Sequence, residues 1–324
     1  MRDVSRCGAV RVWLPALAVA GVAASLDRRA DAGDLAYFVH RGTRLLSAGW
    51  SSVFADRELQ AGPLQLLVAG AARSTEALAF VVELGVVALV VVVLGRLGVG
   101  ARWRLLAGIA AVVAGLAHGA FVEGHPAEAL TPLVWVLAGV EARRGRPVRA
   151  GALIGVSAGL ELWGMLGVAV CVLAPRLRDA FRGFATACAV IAAQLAPFVL
   201  LGTFRMFDYE WRVANGTPLS VLVSAGTHFG WRFRLVQALL ACAAGIMLAR
   251  RLRGSLHAVW LVPLAVALVR ILLDPLAYGW YWLEVEALVL VGAAVIADRY
   301  ARVLVLERRP VRVQQVVAPE QGND

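Results

Sequence analysis

Asp34 is an acidic residue at the start of a segment with the pattern of an amphipathic helix. The segment reads DLAYFVHRGTRLLSAGW, and a carboxylate at a helix start commonly accepts hydrogen bonds from the first free backbone amides. The residue types also allow catalysis: Asp34 would deprotonate a hydroxyl group, while Arg41 and Arg44 would hold an anion such as a phosphate. The apolar pattern predicts that the helix lies on a membrane surface. The residues of its apolar stripe are Leu35, Phe38, Leu45 and Leu46.

Seven other residues are candidates for substrate binding, and all stand in short segments between or beside apolar runs. They are Glu123, His125, Asp208, Arg232, Asp274, Tyr278 and Tyr281. Carboxylates and histidine exchange protons, arginine binds phosphate, and tyrosine offers a ring and a hydroxyl group. The plainer alternatives are a water-facing turn, a solvated loop and the aromatic belt of a membrane protein. The spacing of Arg270 and Asp274 predicts a helical ion pair.

Acidic residues inside apolar runs predict a polar interior. An aspartate at the centre of a membrane helix costs about 2.5 to 3.5 kcal/mol on insertion scales, so Glu83, Glu161, Glu284 and Glu286 are expected to face the inside of a bundle. Glu284 and Glu286 could line a cavity near the outer surface. With Arg270, Glu83 and Glu161 could line a path for protons or a solute. The sequence has no phosphate-binding loop, no dinucleotide fingerprint and no metal-site spacing of cysteine and histidine, so no cofactor and no metal are predicted.

The elements that must position these residues are membrane helices. Of the 324 residues, 60% are hydrophobic and 17% are charged, whereas about a quarter are charged in soluble domains. The net charge of +10 is the balance of 32 basic residues, all arginine, against 22 acidic ones. They stand between apolar runs, where they determine topology. The basic charge therefore does not indicate nucleic-acid binding.

The apolar runs predict an all-α, polytopic bundle with about eight full crossings and two partial elements, since a crossing helix needs about 20 residues. The crossings are 11–26, 77–95, 105–122, 127–142, 183–204, 233–249, 256–273 and 282–297. Residues 62–72 are too few to cross. Residues 150–174 are flanked by arginines on both sides, which predicts a hairpin broken near Glu161, Trp163 and Gly164.

The distribution of arginine predicts the orientation. Six segments that hold 21 of the 32 arginines are placed on the cytoplasmic side. They are the N-terminus, 96–104, 143–149, 176–182, 250–253 and the tail from 298. Both termini are then cytoplasmic, residues 1–307 form one transmembrane domain and residues 308–324 form a polar tail. Every candidate site residue falls on the outer side.

Four stretches of the sequence resemble segments of a known family. They are GDLAYFVHRGTRLLSAGWSSVFADRELQAGPLQLL, GHPAEAL, RRGRPVRAGALIGVSAGLELWGMLGVAV and LDPLAYGWYW. In type and order they resemble GT-C type membrane glycosyltransferases, particularly the polyprenyl-phosphate-mannose-dependent alpha-mannosyltransferase-like proteins of actinobacteria. The resemblance covers most of residues 11–297. It departs from the family pattern at Glu161–Trp163, where relatives commonly carry Lys-Pro.

The resemblance implies that Asp34 is catalytic and activates an acceptor hydroxyl group outside the cytoplasm. It implies a polyprenyl-phosphate-linked sugar donor, carrying mannose or another hexose or pentose, and a glycolipid or glycan acceptor of the cell envelope. The expected location is the plasma membrane, in contact with membrane lipids. The residues themselves leave one alternative, a lipid or solute transporter or flippase without transferase activity.

Overall fold

The fold is almost entirely helical. The computed structural model describes residues 3–27 and 33–307, and within them the chain forms twelve α-helices and two short antiparallel strands. The helices are α1 (Asp3–Asp27), α2 (Leu35–Leu45), α3 (Pro63–Ala72), α4 (Thr75–Arg96), α5 (Ala101–Val113), α6 (Leu116–Val122), α7 (Pro126–Arg143), α8 (Pro147–Leu160), α9 (Leu177–Leu201), α10 (Trp231–Arg251), α11 (Ala258–Leu272) and α12 (Trp282–Glu307). The strands are β1 (Trp211–Arg212) and β2 (His228–Phe229). The predicted tail, 308–324, lies outside the described residues.

Five helical segments are long and apolar enough to cross a membrane, and they make the chain a membrane protein. They are α4, α5 continued by α6, α9, α10 and the segment Gly279–Leu304, which contains most of α12. The other three predicted crossings fall on α1, α7 and α11. Helix α11 has 15 residues, a length of about 22 Å, and α7 carries Glu128, Glu141 and Arg143. Eight full crossings are therefore not confirmed.

The predicted break in residues 150–174 is confirmed. Helix α8 ends at Leu160, the next residue, Glu161, has an extended backbone (φ −144°, ψ 146°), and the 3-10 segment Leu162–Leu173 follows. The two arms pack against each other. Gly164 makes this possible because a Cβ there would overlap the Ser157 carbonyl group. The carbonyl oxygen of Gly164 accepts hydrogen bonds from Ser157 Oγ (3.0 Å) and Trp135 Nε1 (2.8 Å).

The second partial element, α3, meets the tip of this hairpin. The Gly62 amide, just before α3, donates to the carbonyl oxygen of Leu160 at 2.7 Å, and Ala61 and Glu161 form an isolated antiparallel bridge. A Cβ on Gly62 would overlap the Gly159 backbone. The hydrogen bonds satisfy backbone groups that the break of a helix leaves free. They also fix the position of Glu161 relative to the first half of the chain.

Hydrogen bonds join the arginine-rich loops at one end of the bundle. In each bond an arginine side chain donates to a backbone carbonyl group of another loop. The pairs are Arg144 with Arg96, Arg143 with Ser255, Arg253 with Pro175 and Arg302 with Gly98. Five of the six segments that were assigned together from their arginine content are therefore together in the structure, the N-terminal segment not being joined by these bonds. The candidate site residues lie at the opposite end.

The amphipathic helix α2 is packed against protein. Leu35, Phe38 and Leu45 are buried, whereas Leu46 is exposed, and α2 packs against α3 and α4. Helices α2 and α3 approach so closely that a Cβ on Gly42 or Gly70 would overlap the backbone of the other helix. The apolar face predicted to lie on a membrane surface is thus covered by α3.

Candidate functional site

A cavity of about 570 Å³ opens at the end of the bundle opposite the arginine-rich loops. Pockets that hold small molecules have volumes of about 300 to 1,000 Å³. Its walls come from the start of α2, the hairpin break, the loop before α10, α10 itself and the segment between α11 and α12. Four residues selected from the sequence line it: Asp34, His125, Tyr278 and Tyr281.

Asp34 stands at the mouth of the cavity and does not cap its helix. It occupies the N-cap position of α2, but its side chain accepts no capping hydrogen bond. Its Oδ2 atom lies 3.2 Å from Nε2 of His125, and 60% of the side chain is exposed. The contact has ion-pair distance without hydrogen-bond alignment. The sequence allowed two roles for Asp34, helix capping and catalysis, and its side chain does not cap the helix.

Two glycines with positive φ angles bring Asp34 and His125 together. Gly33 has φ +47° and Gly124 has φ +75°, angles that other residues adopt at a cost. A Cβ on Gly33 would lie 2.7 Å from the carbonyl oxygen of Glu123, and one on Gly124 would overlap the Asp34 backbone amide. The turn between α6 and α7 therefore contacts the start of α2 through backbone that carries no side chain.

His125 lies between two carboxylates and two aromatic rings. Its Nδ1 atom is 3.9 Å from Oε1 of Glu161, on the side opposite Asp34. The imidazole stacks on Trp280, with ring centres 4.5 Å apart and planes 5° apart, and meets the edge of Phe38. Burial alone would lower the pKa of His125, but Glu161, Glu128 and Asp34 raise it, and the net direction is upward. The positive form is favoured in this position.

The Glu161 carboxylate is oriented by Trp163, whose Nε1 donates to Oε2 of Glu161. This contact depends on the hairpin break, because side chains two positions apart in a continuous helix lie on different faces. The break thus turns the Glu161 carboxylate toward His125 and Trp163 toward the cavity floor.

The floor is a buried arginine with two carboxylates. Arg270 donates two hydrogen bonds to Glu128, at 2.8 and 3.0 Å, and also pairs with Glu284. The guanidinium carbon lies 4.0 Å from the Trp163 ring centre and 4.8 Å from that of Tyr281. The sequence-based pairing of Arg270 with Asp274 is wrong, since the guanidinium points across the bundle to α7 and α12.

Asp274 instead binds residues of α10. Its Oδ2 atom accepts hydrogen bonds from Nη1 of Arg234 at 3.3 Å and from Nε2 of Gln237 at 3.4 Å. The Asp274 residue is fully buried. Arg234 lines the cavity, and its guanidinium carbon lies 3.8 Å from the Trp211 ring centre. Within the part of the chain that the structure describes, the Nε atom of Arg234 has no hydrogen-bond partner. Arg234 therefore keeps one buried donor unpaired.

Three of the remaining sequence candidates have protein partners outside the cavity lining. Arg41 pairs with Asp56, which also accepts a hydrogen bond from Tyr37 at 3.0 Å. Arg44 donates to Ser52 at 2.7 Å. The remaining pair is Asp208 with Arg205, at 2.8 Å.

Glu123 and Arg232 are exposed and do not line the cavity. Asp274 does not line the cavity, but it forms an ion pair with Arg234, which does. The structure therefore brings together the histidine, the two tyrosines and Asp34, but not the two arginines next to Asp34 in sequence.

Four cavity residues with a part in the site were not among the candidates for catalysis or substrate binding: Glu128, Glu161, Arg234 and Trp280. Glu161 carried a signal, because an acid within an apolar run marks a polar interior, and it is buried, as are Glu83 and Glu284. The same expectation is wrong for Glu286, which is exposed. Arg234 lies two residues after Arg232, and in the segment WRFR each of the two arginines follows an aromatic residue. Nothing local distinguishes the buried arginine from the exposed one.

The fold and the cavity define a helical membrane protein with a polar and aromatic site at one end of its bundle. Comparisons of the chain with protein-family models, with curated proteins and with solved structures find no match. Over residues 3–27 and 33–307, no group of three or more His, Cys, Asp or Glu side chains could hold a metal ion. The chemistry of the site therefore has to be argued from its own side chains.

Proposed function

We propose that this protein is a membrane glycosyltransferase that moves a sugar from a polyprenyl-phosphate donor to a hydroxyl group of a glycolipid or glycan acceptor. The observation that carries the proposal is the Asp34 carboxylate, uncapped and accessible at the mouth of the cavity. In this proposal the protein lies in the plasma membrane with both termini in the cytoplasm. The cavity then opens on the outer side, and the chain belongs to the GT-C type.

Asp34 acts as the general base. It takes the proton of the acceptor hydroxyl group as that oxygen bonds to the anomeric carbon of the sugar. The bond between that carbon and the phosphate oxygen breaks, and its electron pair leaves with the polyprenyl phosphate. The proton returns from Asp34 to water, which reaches the exposed carboxylate. General-base catalysis of this kind contributes about 10²- to 10⁴-fold to the rate.

Arg234 is the cation that suits the donor phosphate. It lines the cavity and has a buried Nε donor without a partner. Arg234 is paired with one buried carboxylate, Asp274, whereas Arg270 is bonded to two. A polyprenyl-phosphate sugar is a phosphodiester with one negative charge, which the Arg234 guanidinium attracts. Charge-assisted hydrogen bonds to phosphate are the strong ones.

An apolar wall between the hairpin and α10 suits the polyprenyl chain. Leu162, Met165 and Leu166 line one side of it, and Trp231 and Ala238 line the other. Trp231 lines the cavity and is 47% exposed, so a lipid can approach the cavity from the side. Burial of each CH₂ group contributes about 0.8 kcal/mol.

The transporter alternative has one favourable observation, since Glu161 and Arg270 both line the cavity. Glu83, the third member of the path expected from the sequence, is buried in α4 and does not line the cavity. The cavity therefore joins two of the three groups that the alternative needs.

The experiment is a transfer assay with purified protein in liposomes made from actinobacterial envelope lipids. Polyprenyl phosphates carrying labelled mannose, glucose or arabinose are offered in turn as donors. Transfer of label to a lipid or glycan, lost about 100-fold or more in Asp34→Asn, supports the proposal. The exposed Glu76→Gln, in the first turn of α4, is the matched control and should retain full activity.

Two results would overturn the proposal. One is transfer that persists in Asp34→Asn. The other is the absence of transfer with all three donors, together with acid-dependent movement of lipid or solute across the liposome membrane that is lost in Glu161→Gln. That second result would favour the transporter.

A further inference from the structure

We propose that Glu161, through His125, is a positioning residue for the carboxylate of Asp34. The three side chains form a row from the interior of the site to its mouth. Glu161 lies 3.9 Å from one imidazole nitrogen, and Asp34 lies 3.2 Å from the other. This inference rests on the proposed function only for what Asp34 does in the reaction.

The inner end of the row is held rigidly. Glu161 belongs to the hairpin break, where Trp163 donates to its carboxylate and a backbone bridge joins it to Ala61. His125 is clamped by the parallel ring of Trp280 and the edge of Phe38. Only 15% of its side chain is exposed, against 60% for Asp34. The rotatable member of the row is thus the one that would meet substrate.

The charges around His125 favour its protonated form. Asp34 faces it from the start of α2, Glu161 from the hairpin and Glu128 from the first turn of α7, while Trp280 covers one face of the ring. Burial lowers the pKa of His125, the Glu161 carboxylate raises it most among the neighbours, and the net direction is above the ordinary value. An imidazolium carries a proton on both nitrogens, so it presents positive charge to Glu161 at Nδ1 and to Asp34 at Nε2, the latter as an ion-pair contact without hydrogen-bond alignment.

A fixed imidazolium gives the Asp34 carboxylate a defined direction. Its positive charge lies 3.2 Å from Oδ2, so it attracts one carboxylate oxygen and leaves the other toward the cavity, where an acceptor hydroxyl group would lie. No proton moves to His125 in this scheme, and the proton taken by Asp34 leaves to water. This is the orienting role that a partner of a catalytic group commonly has.

The chain contains a matched control for this pair. His228, in the strand β2, has its Nδ1 atom 3.2 Å from Oε2 of Glu210, and 61% of the His228 side chain is exposed. Neither residue lines the cavity. It is a second histidine–carboxylate pair on the same side of the molecule. A general effect of removing such a pair would appear in both places, whereas a positioning role would appear only at His125.

The first measurement is the pH dependence of kcat/KM in the transfer assay. The wild type should lose activity on the alkaline side as His125 loses its proton, because the pKa is raised and the function needs the charged form. Glu161→Gln keeps an acceptor for Trp163 and should move this loss to lower pH. His125→Gln should lower kcat about ten-fold or more at neutral pH and remove the alkaline loss. His228→Gln should leave rate and profile unchanged.

The second measurement needs no activity. Nitrogen NMR of protein labelled in its five histidines follows each imidazole through its titration, and His125→Gln identifies the signal of interest by its loss. The midpoint for His125 should lie above the ordinary 6.5 and fall in Glu161→Gln. It should not move in Glu210→Gln.

The outcomes separate the two proposals. If transfer depends on Asp34 but His125→Gln keeps the wild-type rate and pH profile, the positioning role is wrong and the transferase stands. If no donor gives transfer, the transferase fails, and the NMR midpoint still decides whether Glu161 controls His125. A midpoint that is unchanged in Glu161→Gln would overturn the inference in either case.

Discussion

Arg270 offers the sharpest test of the packing that supports the cavity. It is 5% exposed, and its two neighbouring carboxylates, Glu128 and Glu284, are 1% and 0% exposed. Replacement by methionine keeps a side chain of similar length and removes the charge. Both carboxylates would then be left in a buried position without their cation.

The expected cost follows from the contacts that are lost. Arg270 makes two hydrogen bonds to Glu128, an ion pair with Glu284 and close contacts to the rings of Trp163 and Tyr281. Removing one partner of a buried ion pair costs about 3 to 5 kcal/mol, mostly because a charge is left uncompensated. For a domain of this size this corresponds to a fall in Tm of about 6 to 20 °C.

The matched variants make the reasoning testable. Glu284→Gln removes one of two negative charges that share a single guanidinium, so it should cost about 1 kcal/mol or less. The combination of Arg270→Met with Glu128→Gln and Glu284→Gln should recover most of the stability lost by Arg270→Met alone. Arg178→Met, at an exposed arginine, should leave Tm unchanged.

Thermal unfolding in detergent, followed by circular dichroism and by a buried-cysteine probe, measures all of these. A fall in Tm of less than about 2 °C for Arg270→Met would refute the argument, because the charges would then be compensated by groups other than Arg270. A triple variant as unstable as the single one would also refute it, since loss of packing and not loss of charge would explain the effect.

Two further predictions follow from the site and the fold. Arg234→Gln should raise the KM for the polyprenyl-phosphate donor about ten-fold, as loss of a charge-assisted hydrogen bond of about 1.5 kcal/mol predicts, while Arg178→Gln leaves it unchanged in the same steady-state assay. An equal fall in kcat with no change in KM would contradict phosphate binding. Single cysteines at Arg149 and Arg178, in a background without other cysteines, should react alike with an impermeant reagent in oriented vesicles. Labelling of only one of them would mean that the hairpin crosses the membrane.

The elements that could be predicted from the sequence are those with local signals. Residues 62–72 are too short an apolar run to cross, and the structure has the ten-residue helix α3 there. The arginines on both sides of 150–174 required a return of the chain, and the structure breaks α8 at Glu161. In both cases length and flanking charge suffice, because a membrane constrains each segment independently of the others.

The partners of the buried charges could not be predicted in the same way. Arg270 and Asp274 are four residues apart, and the spacing indicated an ion pair. Glu128, the partner in the structure, is 142 residues from Arg270, a contact that only the packing of α7 against α11 creates. The same holds for Asp34, whose capping role was a local expectation and whose contact with His125 crosses from α2 to the turn before α7. Local spacing identifies candidate groups, and the tertiary fold selects among them.

The hairpin connects the topology of the chain to its chemistry. Because the chain reverses at Glu161, the two arginine clusters that flank the hairpin stay at one end of the bundle while its tip reaches the other. An unbroken helix of this length would place one arginine cluster at the cavity and would have no tip there. The break that satisfies the distribution of arginine is therefore also the feature that delivers a carboxylate to His125, and the extended backbone at Glu161 serves both.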